Sequence, residues 1–230
     1  MATVMRELDR NARMIRDRRR FVAVDYDGTI TEQDLLQKIA YEFGDPEIVG
    51  ALDRGLGEGT VTLRDEIVGE YATVRAPLEE VLAWAFERTM IRPGFREFIE
   101  VAGAEGWRVV VVSSGFHELI EPILERESID VPVVANRAHA RPDGWIADWR
   151  YGEPCPACGQ SCKRATVEEL AGGRGYVYIG DGYSDRCAGE AADRVFATRG
   201  LAAHLESKGV PYEPFRDFFD IAAALAPTRA

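Results

Sequence analysis

The sequence predicts an α/β protein whose core has three layers around a parallel sheet, with a small helical cap inserted after the first strand. Short apolar runs rich in Val, Ile and aromatic residues alternate with helical patterns along most of the chain. The one long interval between two such runs contains only helical patterns. Hydrophobic residues make up 46 % of 230 residues, which suits one core domain with one insertion.

The apolar runs predict five buried parallel strands, at Phe21–Asp25, Trp107–Ser113, Val131–Ala135, Tyr176–Gly180 and Arg194–Thr198. Helices are predicted between or after them, at Gly94–Ala104, Phe116–Arg126, Lys163–Ala171, Ser184–Ala192 and Leu201–Lys208. Such alternation indicates a Rossmann-like core with right-handed crossovers. The alternating segment Trp145–Trp149 predicts a hairpin strand.

The cap is predicted over residues 32–90, between the first two strands. It contains three helical patterns, at Asp34–Phe43, Leu63–Thr73 and Leu78–Arg88, and a glycine-rich segment, Arg54–Gly59, that we interpret as a turn dividing them. The core then comprises residues 21–31 and 91–230. Residues 1–20 form an N-terminal extension that is compatible with a short surface helix.

Composition excludes several classes of partner. The formal net charge of -11 disfavours binding to nucleic acid or to anionic membranes. No apolar run approaches the roughly 20 residues that a membrane helix needs, and the N-terminus lacks the apolar segment of a secretory signal. Three of the four cysteines fall within eight residues, which is unlike a disulfide framework and indicates a reducing, cytoplasmic environment.

Carboxylates follow the first predicted strand. Asp25 and Asp27 are separated by one residue, so on an extended chain their side chains point the same way. Gly28 then allows the chain to turn and bring backbone N–H groups near an anion. The alternative is an ordinary Asp-Gly turn with both carboxylates solvated.

Three further strand ends or loops carry polar residues. Ser113 ends the second strand ahead of Gly115, and the alternative is an ordinary helix N-cap serine. Lys163 opens a helix, although a lysine there opposes the helix dipole and is usually a solvated surface residue. Asp181 and Asp185 follow the strand Tyr176–Gly180, where an aspartate can also serve only as a helix N-cap. Ligands of open parallel sheets bind at these strand ends, so we expect one site.

The order of these motifs resembles that of the haloacid dehalogenase superfamily of phosphohydrolases, over roughly residues 20–220. Asp25–Thr29 is similar to the family's nucleophile motif, and Gly180–Asp185 is similar to its acidic motif. Ser113 matches the hydroxyl motif and Lys163 matches the lysine motif. The helical insertion lies where family members with a helical cap carry theirs.

The resemblance implies a Mg²⁺-dependent phosphatase acting on a small-molecule phosphate ester. Asp25 would be the nucleophile and Asp27 the general acid and base. The magnesium ion would be bound by Asp25, Asp181 and the backbone carbonyl of Asp27. Asp185 would support these ligands from further away.

Ser113, Lys163 and backbone N–H groups near Gly28, Ser114 and Gly115 would bind the phosphoryl oxygens, while the cap would close over the site.

Within the superfamily, the chain looks like the phosphoserine phosphatase-like branch. It is most similar there to methylthiopentenyl-phosphate phosphatases of methionine salvage, which also have a cysteine-rich stretch just before the lysine. Asp34 matches an acidic position that faces the substrate, and its short side chain argues against phosphoserine, for which that position is a glutamate. Phosphoserine and phosphocholine-type phosphatases are the alternatives. Arg54 and Arg64 are candidates for binding a substrate carboxylate.

The cysteines Cys155, Cys158 and Cys162 could supply three thiolates to zinc, with His139 as a candidate fourth ligand. The alternative is three thiols that only pack a loop. Cys187 is interpreted as a small buried residue, and His117 as a helix-surface residue.

Two functions of another class are less compatible with the sequence. A phosphorylated receiver domain gives no reason for the Asp25–Asp27 pair or the cap. A non-catalytic binding domain would be expected to have lost one of the chemical residues.

Overall fold

The protein is described by a computed structural model that covers residues 19–150 and 154–226. The N-terminal extension with a short surface helix was predicted over residues 1–20. Residues 1–18 lie outside the described residues, and Arg20 already belongs to the first strand. Among the described residues, no helix has the length and apolar character needed to cross a membrane.

A seven-stranded sheet forms the centre of the fold, in the order β4-β3-β2-β1-β5-β6-β7. The strands are β1 (Arg20–Val24), β2 (Trp107–Phe116), β3 (Val133–His139), β4 (Ile146–Asp148), β5 (Val177–Gly180), β6 (Arg194–Ala197) and β7 (Glu213–Pro214). Neighbouring strands are parallel except β3 and β4, which are antiparallel. The predicted parallel sheet and the hairpin strand are confirmed, while the short edge strand β7 was not predicted.

The described residues form ten helices. They are α1 (Leu35–Phe43), α2 (Pro46–Glu58), α3 (Leu63–Tyr71), α4 (Leu78–Arg88), α5 (Phe95–Ala104), α6 (His117–Arg126), α7 (Arg164–Ala171), α8 (Arg186–Glu190), α9 (Arg199–Lys208) and α10 (Phe218–Leu225). A 3₁₀ turn at Tyr183–Asp185 precedes α8, so the helix predicted over Ser184–Ala192 is split in two.

The side chains of β1 alternate between the two faces of the sheet, and each face is covered by its own layer of helices. Val22 and Val24 are buried in one apolar core, which also includes residues of α5, α6, α10 and the helices before β2. Phe21 and Ala23 point to the opposite face and join a second core with residues of α7, α8 and α9. Because successive side chains of a strand point to opposite faces, a strand apolar on both faces needs helices on both sides. The predicted three-layer fold is therefore confirmed.

Four helices, α1 to α4, lie within residues 32–90, the predicted cap, where the sequence indicated three. The prediction of a glycine-rich turn at Arg54–Gly59 is wrong, because α2 continues through it to Glu58 and ends at Gly59. Asp45 caps the helix start ahead of Pro46, a signal that the glycines obscured. Gly55 is needed inside the helix, since an added Cβ would lie 2.5 Å from Val61.

Strand β2 is longer than predicted. It continues past Ser113 to Phe116, with an irregular register against β3 between Val112 and Phe116. Ser113 and Ser114 therefore lie in the strand end rather than in a helix N-cap. The irregular register bends this end of the strand at the carboxyl edge of the sheet.

Helix α10 was not predicted, although its apolar residues Phe218, Ile221 and Leu225 repeat at helical spacing and are buried. Phe218 contacts Phe95 of α5 with ring centroids 4.7 Å apart. Asp217 caps the helix by accepting a hydrogen bond from the Asp220 N–H. This helix closes the face of the sheet that bears Val22 and Val24.

Candidate active site

A cavity of about 230 Å³ lies at the carboxyl ends of β1, β2 and β5, beneath α1, α2 and α3. Most of the predicted site residues line it, namely Asp25, Asp27, Asp34, Ser113, Ser114, Gly115, Lys163 and Asp181. Gly28 and Asp185 are not part of this lining and lie behind it. The strand-end residues thus come together at one edge of the sheet, where parallel strands direct their ends.

Asp25 lies at the floor of the cavity, directly after β1. Its carboxylate accepts a 2.6 Å hydrogen bond from the Tyr26 N–H and forms an ion pair with Lys163. Burial and the negative charge of Asp185 raise the pKa of Asp25, against the lowering effect of Lys163. A carboxylate in such surroundings gains from an added cation.

Asp27 is oriented by the first turn of α1. Its Oδ1 atom accepts 3.1 Å hydrogen bonds from the N–H groups of Leu35 and Leu36. Burial, together with the negative charge of Asp34, raises the pKa of Asp27 to about 8. Asp27 can therefore hold a proton near neutral pH while remaining close to the cavity.

Gly28 packs directly against Asp181. Its φ of +72° lies in the left-handed region, and a Cβ at this position would lie 2.3 Å from Oδ2 of Asp181. Thr29 donates a 3.1 Å hydrogen bond from Oγ1 to Oδ1 of Asp181. The turn after β1 therefore sets the position of a carboxylate that comes from β5.

The end of β2 offers hydroxyl groups and backbone N–H groups. Ser113 Oγ accepts a 2.9 Å hydrogen bond from the Gly115 N–H. Ser114 Oγ is buried without a protein partner and belongs to a residue that lines the cavity. Asn136, which the sequence analysis missed, donates from Nδ2 to the Ser114 carbonyl at 2.7 Å. The unpartnered hydroxyl suits a ligand with hydrogen-bond acceptors.

Lys163 is a buried cation between two carboxylates, and not the usual surface lysine. Nζ lies 2.7 Å from Oδ1 of Asp185 and also pairs with Asp25. Burial alone would lower the pKa of Lys163, but Asp185 and Asp25 raise it above its ordinary value. Lys163 is therefore held protonated at the cavity floor.

Asp185 is fully buried and has its acceptor atoms occupied. In addition to Lys163, it accepts hydrogen bonds from the Tyr178 hydroxyl at 2.7 Å and from the N–H groups of Asp181 and Gly182 at 2.9 Å each. Burial acts to raise the pKa of Asp185, but Lys163 and these donors hold it below its ordinary value. The residue organises the lysine and the loop after β5.

Three of the predicted magnesium-binding residues form a compact group. One carboxylate oxygen from each of Asp25, Asp181 and Asp185 lies within 4.8 Å of the others. The carboxylate of Asp27 is outside this group and turns toward α1. Burial and the charge of Asp185 raise the pKa of Asp181 to about 6. Three crowded hard oxygen ligands with one lysine fit a divalent cation of the magnesium type.

The helices above the cavity contribute acidic side chains that the sequence analysis missed. Asp53, Glu66 and Glu70 line this side, and Glu66 and Glu70 are only 6 % and 3 % exposed. Burial and nearby carboxylates raise the pKa values of Glu66 and Glu70 to about 8 each. The helical pattern predicted at Leu63–Thr73 did not indicate that Glu66 and Glu70 face the cavity.

Asp34 lines the cavity at the start of α1, where it accepts a hydrogen bond from the Gln37 N–H at 2.9 Å. Arg54 and Arg64, the candidates for binding a substrate carboxylate, are not among the lining residues. In the described part of the chain, Lys163 is the one basic side chain that lines this cavity.

Two arginines that the sequence analysis missed hold the turn after β1. Arg92 donates to the carbonyls of Gly28 and Thr29 at 2.6 and 2.7 Å. Arg199 donates to the Gly28 carbonyl at 3.2 Å and pairs with Asp181 at 3.3 Å. Both are distant from the turn in sequence, so no local pattern signals these contacts.

The cysteines form a second cluster outside the carboxylate group. Sulfur atoms of Cys155, Cys158, Cys162 and Cys187 all lie within 4.8 Å of one another. Cys187 is buried as predicted, but it also joins this cluster. His139, the candidate fourth ligand, lies instead at the end of β3, opposite Ile146 of β4.

The prediction of a surface position for His117 is wrong. The residue is 3 % exposed, and Nε2 accepts a 3.2 Å hydrogen bond from the Ala135 N–H. Nδ1 lies 3.1 Å from a carboxylate oxygen of Glu121. His117 therefore joins the start of α6 to β3 and does not line the cavity.

The chain is similar in sequence to known enzymes. Residues 22–190 match the haloacid dehalogenase-like hydrolase family. A 2-hydroxy-3-keto-5-methylthiopentenyl-1-phosphate phosphatase of Geobacillus kaustophilus is 30% identical over 87% of this chain and 93% of its own. The enzyme of the same name from Exiguobacterium sibiricum is 26% identical over 90% of this chain and 96% of its own.

The fold is also similar to solved structures. A phospho-aspartyl intermediate analogue of phosphoserine phosphatase superposes with a TM-score of 0.70 at 20% identity, covering 91% of this chain and all of that one. A phosphoserine phosphatase from T. onnurineus superposes with a TM-score of 0.68 at 20% identity, covering 92% and 96%. The chain therefore belongs to the haloacid dehalogenase-like hydrolase family, and the predicted class of phosphoric monoester hydrolase is confirmed.

Proposed function

We propose that this enzyme hydrolyses 2-hydroxy-3-keto-5-methylthiopentenyl-1-phosphate, with Asp25 as the nucleophile. This compound is the substrate given in the names of the enzyme's relatives. The observation that carries the mechanism is the meeting of Asp25, Asp27, Ser113, Lys163 and Asp181 in one cavity. It is a methionine-salvage reaction. We assign the enzyme to the cytoplasm because three of its four cysteines fall within eight residues, which is unlike a disulfide framework.

Magnesium is the metal that suits the carboxylate group. Asp25, Asp181 and the backbone carbonyl of Asp27 would hold it, while Asp185, already occupied by donors, would support it from behind. When bound, magnesium neutralises charge on the phosphoryl oxygens. Zinc would suit the separate cysteine cluster, since thiolates are the softer ligands.

In the first step, a carboxylate oxygen of Asp25 attacks phosphorus as the bond to the leaving oxygen breaks. Asp27 gives its proton to that oxygen, and its raised pKa of about 8 keeps the proton available near neutral pH. In the second step, water attacks the aspartyl-phosphate and Asp27 takes a proton from it, which releases phosphate and restores Asp25.

Ser113, Ser114 and Lys163 would hold the phosphoryl oxygens during both steps. Lys163 supplies a positive charge at the cavity floor, and the Ser114 hydroxyl lacks a protein partner. Because the loose transition state spreads negative charge over the phosphoryl oxygens, positioned donors lower its energy.

The cap side of the cavity favours a leaving group without a negative charge. Leu36, Leu56, Leu63 and Ile67 provide apolar surface for a methylthio tail. Glu66 and Glu70, with pKa values of about 8, can hydrogen-bond hydroxyl and keto oxygens while neutral. Phosphoserine carries a carboxylate, and in the described part of the chain no basic residue lines this side to receive it.

A phosphocholine-type substrate is the second candidate. Asp53, Glu66 and Glu70 form an acidic wall that would attract a cationic leaving group. Such a group would draw protons off the two glutamates as it binds.

The test is phosphate release with Mg²⁺ from the methylthiopentenyl ester, phosphoserine, phosphocholine and common sugar phosphates. We expect turnover of the first ester, none of phosphoserine, and loss of turnover in Asp25→Asn. Asp130→Asn, an exposed position far from the cavity, is the matched control. Acid quenching followed by peptide mass spectrometry should find the phosphoryl group on Asp25.

Phosphate release that survives in Asp25→Asn would remove Asp25 as the nucleophile. Preferred turnover of phosphocholine would replace the proposed substrate by the second candidate. Preferred turnover of phosphoserine would contradict the argument from the cavity lining.

A further inference from the structure

The four cysteine sulfurs have the spacing of a tetrahedral metal site. All four lie within 4.8 Å of one another, and the sulfurs of Cys155 and Cys187 are 3.7 Å apart. Four thiolates about 2.3 Å from a central zinc ion would have sulfur–sulfur edges of about 3.8 Å. A disulfide would require about 2.05 Å. The separation of Cys155 from Cys187 therefore matches shared metal coordination and excludes a bond between them.

The local backbone also directs the sulfurs inward. The N–H groups of Ala157 and Cys158 donate hydrogen bonds to the Cys155 sulfur, which fixes the direction in which it points. Gly159 completes the turn with a φ of +68°, and its N–H donates to the Cys155 carbonyl at 2.7 Å. This turn presents Cys155 and Cys158 on the same side, as a chelating pair.

The surroundings of the cysteines differ from those of thiols that only fill a core. Buried Cys155, Cys162 and Cys187 form a cluster with one another, separate from both apolar cores of the sheet. Free cysteines that act as small apolar residues pack among aliphatic side chains instead. The arrangement is therefore typical of a metal-binding cluster.

A positively charged side chain, that of Arg164, lies beside the cysteine cluster. Nη1 of Arg164 lies 4.0 Å from the Cys187 sulfur. Four thiolates with one divalent ion carry a net negative charge, which an adjacent guanidinium offsets. Soft tetrahedral sulfur ligation is typical of zinc.

The cluster joins the two segments that carry the lysine and its carboxylate partner. Cys162 immediately precedes Lys163, and Cys187 follows Asp185 by two residues. We infer that the four cysteines bind one zinc ion, with Cys187 as the fourth ligand, and that this ion fastens the Lys163 segment to the start of α8. The cysteines are then positioning residues, which keep Lys163 against Asp25 and Asp185.

The first test is the metal content of the full chain, purified without added metal and without chelators. We expect about one zinc ion per chain and four thiols that a mercurial titrates as zinc is released. The Co²⁺-substituted protein should show the absorption of tetrahedral thiolate coordination. Protein with reduced thiols but no zinc, with disulfides, or with iron in place of zinc would overturn the inference.

Variants identify the fourth ligand. Cys187→Ser should lower zinc affinity by at least about 100-fold, because the loss of an outer-shell partner alone costs about 10- to 100-fold. Cys158→Ser should do the same, and because the Cys158 side chain is exposed, this variant should keep the native fold, which circular dichroism checks. Ser161→Ala, next to Cys162, is the matched control and should keep the metal. Full zinc content in Cys187→Ser would exclude Cys187 as a ligand.

Zinc content is measured without a phosphate ester, so failure of this inference is distinct from failure of the proposed function. If zinc positions Lys163, Cys187→Ser should lower kcat by about 10-fold while leaving the Mg²⁺ dependence unchanged. Unchanged kcat in a zinc-free variant would overturn the positioning role.

Discussion

Nζ of Lys163 lies 2.7 Å from Oδ1 of Asp185, and the two side chains are 1% and 0% exposed. The pair joins the loop before α7 to the turn after β5. Burying two charges costs free energy unless each charged group has hydrogen-bond partners. In addition to Lys163, Asp185 accepts hydrogen bonds from the Tyr178 hydroxyl and from two backbone N–H groups. The lysine is therefore held between Asp25 and Asp185 by buried protein groups before any substrate binds.

Asp185→Asn should destabilise the protein by roughly 3 kcal/mol, because it leaves a buried lysine with only one of its two carboxylate partners. Urea unfolding would measure the free energy of unfolding. Glu168→Gln is the matched control, since its 2.7 Å ion pair with Arg164 is partly exposed to solvent. The control should lose less than about 1 kcal/mol, and equal losses in the two variants would contradict the prediction.

Gly28→Ala should lower kcat about 100-fold, because its Cβ would displace Asp181 from the metal-binding group. Gly59→Ala is a close control. Gly59 has a φ of +73°, nearly that of Gly28 at +72°, but an added Cβ there meets nothing within 4 Å. Both variants bear the same backbone strain, about 1 kcal/mol in unfolding assays. Normal turnover in Gly28→Ala would show that the close contact with Asp181 does not matter.

Asp181→Asn should raise the Mg²⁺ concentration needed for half-maximal turnover by at least about 10-fold, since it replaces a charged ligand by a neutral one. Calorimetric titration with Mg²⁺ gives an independent measurement without substrate. Asp130→Asn, an exposed residue between α6 and β3 that does not line the cavity, should leave the affinity unchanged. Unaltered magnesium affinity in Asp181→Asn would remove this residue from the metal site.

The two buried glutamates of the cap should make stability fall as the pH rises. Burial raises the pKa of Glu66 from 4.5 to about 8, so between these values the native state keeps a proton that the unfolded chain has lost. The free energy of unfolding should therefore decrease by up to about 1.4 kcal/mol per pH unit for each such carboxyl.

Glu66→Gln should flatten this dependence and unfold at higher urea concentration than the wild type near pH 8. Glu79→Gln, on the exposed side of α4, is the control and should retain the wild-type slope. Identical pH dependence in Glu66→Gln and the wild type would show that Glu66 does not titrate with a raised pKa.

Local sequence patterns were sufficient to predict the three layers of the fold and most of the residues at the strand ends. The apolar runs before Asp25 and Asp181 mark strands buried on both faces, and parallel strands bring their carboxyl ends to one edge. Helix α2 was not predicted because a run of glycines usually favours a turn, whereas here Gly55 allows close packing against Val61. Helix propensity is a weak guide where tertiary contacts decide.

The sequence by itself determined the five central parallel strands, the order of the motifs and the place of Asp25, Ser113 and Asp181 at strand ends, because these follow from periodicities within single segments. Only the tertiary structure decided that Glu66 and Glu70 face the cavity, that Arg92 and Arg199 hold the turn at Gly28, and that Cys187 completes the cysteine cluster. Those relationships join residues far apart in the chain. They depend on how helices and loops pack, and no local pattern records that packing.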